Sequence, residues 1–277
     1  MGKLPHTIFR SREYYMSYIR FLFISCAVAL LVVINSCNDS STTTNPSQNP
    51  ADSPVAVEEN VIEDAATKDK EFMTALGLMK GHLMVGKELL DQKLAEQAEP
   101  HMAHPIEEIY GDIETELSER NIDDFKPELN QLHDVVATAP DAAEIPAQYE
   151  QVMGSIDNAI AALPAEKLQS PKFVLDSING LLAAANEEYA AGILDGKVVE
   201  IIEYQDSRGF VNNVDLMYQT IATKMQQQSP DLHQTIASSI EELKKAWPSA
   251  TAPEQVAVAP EQVDKLVTQI KQSSEAI

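Results

Sequence analysis

Apolar residues recur at intervals of three and four along most of this chain, and this spacing constrains its fold more than any other feature. Residues at these intervals lie on one side of an α-helix, where they can be buried against a neighbouring helix. None of the segments concerned shows the strict alternation of a half-buried strand. The sequence therefore predicts an all-α protein. The first stripe comprises Phe72, Leu76, Met79, Leu83, Gly86 and Leu90.

Later segments carry similar stripes and predict further helices. Ser229-Pro230 marks the start of one of them, because proline suits the first position of a helix, and Pro248 ends it. The stripes run over Met102–Leu117, Ile122–Val136, Ile145–Leu163, Leu175–Tyr189, Val199–Ile221, Leu232–Trp247 and Val263–Ile270.

Two segments late in the two halves of the chain resemble each other. Thr138-Ala139-Pro140, followed by a short loop and a helix, matches Thr251-Ala252-Pro253 with its own loop and helix. We infer an internal duplication that makes two related four-helix bundles, over residues 65–164 and 171–275. The alternative is that amphipathic helices share this general appearance without common origin.

The start of the chain has the layout of a secretory leader. Phe21 to Ile34 form an apolar run that follows Arg20 and other basic residues, and the run is shorter than the roughly 20 residues that span a bilayer. Ile34-Asn35-Ser36-Cys37 resembles a bacterial lipobox. The resemblance implies a leader over residues 1–36 and a lipid on Cys37 that anchors the protein to the membrane of the bacterial cell envelope, facing the periplasm or the exterior. An uncleaved anchor is the alternative.

Residues 37–64 are rich in Ser, Thr, Asn, Pro and Asp and contain few large apolar residues. Such a composition cannot bury enough apolar surface to offset the entropy that folding costs. We therefore expect a disordered tether between the lipid and the helical body.

Charge and cysteine content narrow the functions that are open to the chain. The formal net charge is −23, which disfavours nucleic acid as a partner and favours cations or basic protein surfaces.

The two cysteines are Cys26, inside the leader, and Cys37, so the body has no disulfide and no thiolate site. Nucleophile, dinucleotide and zinc-peptidase motifs do not occur, and we expect a protein that is not an enzyme; a metalloenzyme is the weakest alternative.

Three histidines can come together around the turn between the first two helices of the body. Counting equally along both helices from this turn places His82 level with His104, and His101 is close by. Together with Glu107 or Glu108, these imidazoles would form a nitrogen and oxygen site suited to zinc, copper or iron.

The helical geometry also permits a different arrangement. On a regular helix His101, His104 and Glu108 lie together, but opposite the apolar stripe, so they would be surface residues near a helix start. His82 lies within an apolar stripe and should be at least partly buried. It is then either a buried histidine whose ring nitrogens hydrogen-bond to other protein groups, or a metal ligand.

Glu203 and Asp206 fall on the same stripe as Phe210, so two carboxylates are predicted to face a core. A buried carboxylate is costly unless it is paired, hydrogen-bonded, bound to a metal or protonated. We hypothesise that His82, Glu203 and Asp206 point inward as cation ligands. Salt bridges or hydrogen bonds to tyrosines are the alternative.

His104-Pro105-Ile106-Glu107 resembles the His-x-x-Glu element of the secreted imelysin-like group, which includes periplasmic iron-uptake components. This group also consists of paired helical bundles. The resemblance implies an iron or copper role for the body of the chain.

These features predict a membrane-anchored, extracytoplasmic helical lipoprotein that binds a divalent, iron or copper cation, or a small ligand, without catalysis. The alternative is an assembly or scaffold protein whose acidic helical faces dock onto a membrane protein complex.

Overall fold

The computed structural model describes residues 55–277. The predicted leader, Cys37 and the predicted tether up to residue 54 lie outside the described residues. The tether prediction differs from the structure at its end, because the first helix begins at Val55 rather than after residue 64. The segment from Val55 contains several Glu and Ala residues, which favour helix once a longer helix follows.

The described residues are mostly helical and contain two strands of two residues each, which confirms the predicted all-α class. A π-helix over Pro105–Ile109 joins α2 to α3, and the short strands β1 (Ile193–Leu194) and β2 (Lys197–Val198) join α7 to α8. The α-helices are α1 (Val55–Asp91), α2 (Ala95–His104), α3 (Tyr110–Glu119), α4 (Lys126–Thr138), α5 (Ile145–Ala161), α6 (Ala165–Leu168), α7 (Pro171–Gly192), α8 (Ile201–Gln228), α9 (Pro230–Lys244) and α10 (Pro260–Glu275).

The helices pack into two rings of four. In the first ring α1 contacts α2, α2 contacts α4, α4 contacts α5, and α5 returns to α1. In the second ring α7, α8, α9 and α10 contact one another in the same cyclic way. The two rings join where α1 packs against α7 and α8, and the described residues form one compact unit with a continuous apolar core. The internal duplication stays a prediction.

The hairpin between α7 and α8 was not predicted. Ile193 pairs with Val198 and Leu194 with Lys197, so each strand has two residues, too few for an alternating pattern. Asp195 and Gly196 form the turn with φ of 51° and 76°. An Asp-Gly pair tolerates this left-handed conformation, which suits a tight hairpin. The hairpin turns the chain so that α8 runs back along α7.

The turn between α1 and α2 makes these helices antiparallel. The backbone N–H of Leu94 donates to the carbonyl of Leu89 over 2.9 Å, and the N–H of Lys93 donates to Leu90 over 2.9 Å. Lys93 has a φ of 64°, as expected for the residue after a helix end in this pair of bonds. The turn satisfies the last carbonyls of α1 and returns α2 along its side.

Helices α1 and α8 touch backbone to backbone at Gly81 and Gly209. A Cβ atom on Gly209 would lie 2.2 Å from the carbonyl oxygen of Gly81, and one on Gly81 would lie 3.1 Å from the carbonyl carbon of Gly209. Any side chain at this crossing would separate the helices. The next residue of α1 is His82, and Asp206 precedes Gly209 by one turn of α8, so the crossing brings these two side chains together.

Gly209→Ala should therefore destabilise the protein by about 1–3 kcal/mol or more, because the added methyl group meets backbone rather than a flexible side chain. Gly154→Ala in α5 is the matched control, since its Cβ would have no neighbour within 4 Å. This control should gain about 0.5–1 kcal/mol from the higher helix propensity of alanine. Chemical denaturation of both variants tests this. If Gly209→Ala and the wild type had equal free energies of unfolding, the close contact between α1 and α8 would not contribute to stability.

Candidate metal centre

Three histidines and one aspartate from three helices meet inside the fold. His82 comes from α1, His101 and His104 come from α2, and Asp206 comes from α8. One ligand atom from each residue lies within 4.8 Å of the other three, and all four residues are buried. It is the one such group of His, Cys, Asp and Glu side chains found within the part of the chain that the structure describes.

The carboxylate of Asp206 lies at the middle of the cluster. Its Oδ1 is 2.6 Å from Nδ1 of His82 and 2.7 Å from Nδ1 of His101, and its Oδ2 is 3.1 Å from Nδ1 of His104. The ring of His82 stands edge to face on the ring of His104, with centroids 5.0 Å apart, and on Phe210 at 4.8 Å. Each imidazole therefore presents the same ring nitrogen to one carboxylate.

His101 and His104 are buried, with exposures of 0% and 5%, so the interpretation of both as surface histidines is wrong. That interpretation assumed one regular helix with a single apolar face. In the structure α2 lies between α1 and α4 and also touches α8, so more than one of its sides is covered. The π-helix, which starts at Pro105, has a wider turn and changes the direction of Glu107 and Glu108 relative to these two histidines.

The small residues of α1 allow α2 to come close. A Cβ atom on Gly86 would lie 3.2 Å from Cβ of His101 and 2.8 Å from the methyl carbon of Met102. Glycine at this position therefore leaves the space into which the backbone around His101 packs. Gly86, a member of the apolar stripe of α1, therefore allows α2 and its two histidines to pack closely against α1.

Asp206 is ionised in this environment. Burial by itself raises the pKa of its carboxyl group, but the charges of His82 and His101 and the hydrogen bonds from His101 and His104 outweigh this effect. The pKa of Asp206 is consequently held well below its usual range. The centre thus supplies a buried anionic oxygen surrounded by imidazole nitrogens.

The remaining predicted site residues lie around this centre rather than in it. Glu108 Oε1 is 3.9 Å from Nε2 of His104, and Glu203 is half-buried on the first turn of α8. Burial raises the pKa of Glu203, and nearby Asp206 and Glu200 raise it further, against a backbone hydrogen bond and His104, which lower it. Glu107 is exposed and lies outside the four-residue cluster.

Glu188 on α7 was missed by the sequence analysis. Burial raises its pKa to about 8, and the charges of Asp206, Glu203 and Glu108 add to this effect, whereas His104 lowers it. No pattern in the sequence marked this residue, because it lies beside the apolar stripe of α7 and not on it. Its environment is set by helices that are distant in the chain.

A group of three imidazoles and one carboxylate can hold either protons or a metal cation. Nitrogen and oxygen donors of this kind bind zinc, iron and copper(II), and they lack the sulfur atoms that softer ions prefer. Four protein donors also suffice for tetrahedral coordination. The cluster is therefore compatible with a metal cation.

Residues 164–277 match the family described as the iron permease-associated 4-helix bundle domain. The match covers the second ring of helices, with Asp206, Glu188 and Glu203, whereas the three histidines lie before it. This family differs from the imelysin-like group that the element at His104 resembles. No curated protein and no solved structure matches the chain. Among the described residues, no helix has the length and apolar character needed to span a membrane.

The raised pKa of Glu188 predicts a pH-dependent stability. A carboxyl group whose pKa rises on folding, from 4.5 to about 8, favours the folded state at low pH and loses this contribution as the pH rises through the folded value. The stability of the wild type should therefore fall relative to Glu188→Gln between about pH 5 and about pH 8.5. Denaturant titrations in the presence of a chelator measure this difference.

The control is Glu187→Gln, which removes a carboxyl group from the exposed position next to Glu188. A difference between wild type and Glu188→Gln that stayed constant across this pH range would contradict the raised pKa.

Proposed function

We propose that this protein is a lipid-anchored component of a bacterial iron-transport system that binds a metal cation without catalysis. The observation that carries the proposal is the set of four buried donor atoms, from His82, His101, His104 and Asp206, within 4.8 Å of one another. The family match supports an association with an iron permease in the membrane, because the matching domain is named for that association.

The charge of the chain supports a cation as the ligand. The net charge of −23 attracts cations to the protein as a whole. Around the centre, Glu108, Glu188 and Glu203 add carboxyl groups that share electrostatic interactions with His104. A cation near these groups would favour their ionised forms, so binding and deprotonation would reinforce each other.

Iron is the cation that the family match favours, and the donor set also suits zinc and copper(II). Binding fits better than catalysis, because four protein donors leave no open position for a substrate in tetrahedral coordination, whereas catalytic zinc sites typically have three. The exposure of the four residues is also low, which suits holding an ion.

We expect the wild type to bind one equivalent of iron(II) or zinc, and His101→Ala and Asp206→Asn to bind at least about 100-fold more weakly, because the first loses a ring nitrogen and the second exchanges an anionic carboxylate for a neutral amide. His133→Ala is the matched control, since this histidine pairs with Glu99 at 2.7 Å and takes no part in the centre. Calorimetric titration and elemental analysis give affinity and stoichiometry. A folded wild type without metal above background would contradict the proposal.

The anchor has its own test. Full-length protein with Cys37→Ser should incorporate no labelled palmitate and should leave the membrane fraction, because a lipid is then missing from the proposed attachment site. Cys26→Ser, which changes the other cysteine, should remain labelled. Equal labelling of wild type and Cys37→Ser would exclude Cys37 as the lipidation site.

A second candidate function, docking onto a membrane protein complex, is supported by the name of the matching family and by the net charge of −23. It requires no bound cation. If Asp206→Asn still co-purified with an iron permease while binding no metal, docking rather than cation binding would be the better description.

A further inference from the structure

Gln205 lies directly behind the candidate metal centre and is fully buried. Its Oε1 is 2.9 Å from Nε2 of His101, on the side of the ring that faces away from Asp206. Its amide nitrogen donates to the carbonyl oxygen of Ala250 over 3.1 Å and to Oε1 of Gln97 over 2.7 Å. All hydrogen-bonding groups of this side chain therefore have partners.

These partners determine which way the amide of Gln205 faces. The carbonyl of Ala250 can only accept a hydrogen bond, so the NH₂ group must point toward it. The oxygen of Gln205 must then face His101, and an amide oxygen can only accept. Nε2 of His101 consequently carries a proton and donates it to Gln205.

In the metal-free centre Nδ1 of His101 also carries a proton, which it donates to the ionised Asp206. A cation would displace that proton, and because Nε2 keeps its own, Nδ1 is then the nitrogen of His101 that offers a lone pair. Nδ1 is the nitrogen that lies 2.7 Å from Oδ1 of Asp206, inside the cluster. Proteins orient histidine ligands by placing a hydrogen-bond acceptor against the second ring nitrogen, and this contact also strengthens metal binding.

We propose that Gln205 is a positioning residue that holds His101 with Nε2 protonated and Nδ1 directed into the centre, an inference that rests on the proposed cation-binding function. Gln205 itself donates no ligand atom. It acts through His101, and its own orientation is set by Ala250.

The segment between α9 and α10 thereby becomes part of the site. Ala250 belongs to this segment, and its N–H donates to Oε1 of Glu88 on α1 over 3.4 Å. The hydroxyl of Tyr204 donates to the carbonyl of Ser249 over 3.2 Å. Arg208 pairs with Glu88 through two bonds of 2.8 and 2.9 Å. The carbonyl that orients Gln205 is thus held by both α1 and α8.

The test compares Gln205→Leu with Asn213→Leu. Asn213 is a buried amide on the same helix, and it donates to the carbonyl of Gly77 on α1 over 2.7 Å without touching the histidines. Both variants remove an amide that joins α8 to another part of the fold. Only Gln205→Leu removes the acceptor of His101.

Two measurements are made on ¹⁵N-labelled protein. The first is the protonation of the ring nitrogens of His101 by NMR, without metal and with zinc. The second is the affinity for zinc. We expect Nε2 of His101 to be protonated in the wild type in both forms, and zinc to shift the Nδ1 resonance. In Gln205→Leu the protected Nε2 proton should be lost and zinc should bind about 10–100-fold more weakly.

Asn213→Leu should keep both the Nε2 proton and the affinity, although it loses stability. Gln205→Glu retains an oxygen acceptor for His101 and should restore the Nε2 proton, which keeps the proposal testable if Gln205→Leu does not fold. Wild-type affinity for zinc in Gln205→Leu, or an unprotonated Nε2 in the wild type, would overturn the role of Gln205.

The same measurements distinguish a failure of the proposed cation binding from a failure of the proposed role of Gln205. If the wild type bound no metal, the cation-binding function would be wrong. The NMR comparison of metal-free wild type and Gln205→Leu would still decide whether Gln205 orients His101.

Discussion

The contact between the backbones of Gly81 and Gly209 limits how every other helix can be placed. A Cβ atom on Gly209 would lie 2.2 Å from the carbonyl oxygen of Gly81, so no other residue fits there without moving α1 or α8. Because α1 belongs to the first ring of helices and α8 to the second, this crossing joins the two rings. It also sets the separation of His82 and Asp206, which stand close to it on the two helices.

The candidate metal centre requires an ionised carboxylate to be buried in an apolar core, which costs free energy. Apolar residues in the place of Asp206 and its histidines would give an equally well packed bundle, and replacements of this kind in other proteins are often neutral or stabilising. A network of buried polar groups is tolerated when each member is satisfied. Here Gln205 accepts a hydrogen bond from His101, and its own amide donates to Gln97 and Ala250. Such an arrangement is costly to maintain for packing alone, which favours a functional role.

Much of the fold could be predicted from spacing, because helix burial depends on residues three and four apart in one segment. The stripe through Phe210 also placed Asp206 on a buried face, and the stripe of α1 placed His82 inside. His101 and His104 were harder, since their burial depends on helices that cover α2 from more than one side. Glu188 carries no local signal at all, and its raised pKa arises from burial and from carboxylates on α8 and on the π-helix.

The sequence by itself determined the helices, the face that each one buries and the ionisable residues that its faces carry, because these properties depend on neighbours within a few turns. It also determined the acidic charge and the lack of thiol ligands in the body. The tertiary structure decided that His82, His101, His104 and Asp206 lie together, that Glu107 lies outside this cluster, and that Gln205 contacts His101. Those outcomes depend on where separate helices cross, and the crossing is set by a contact between two glycines whose spacing in the chain gives no hint that they meet.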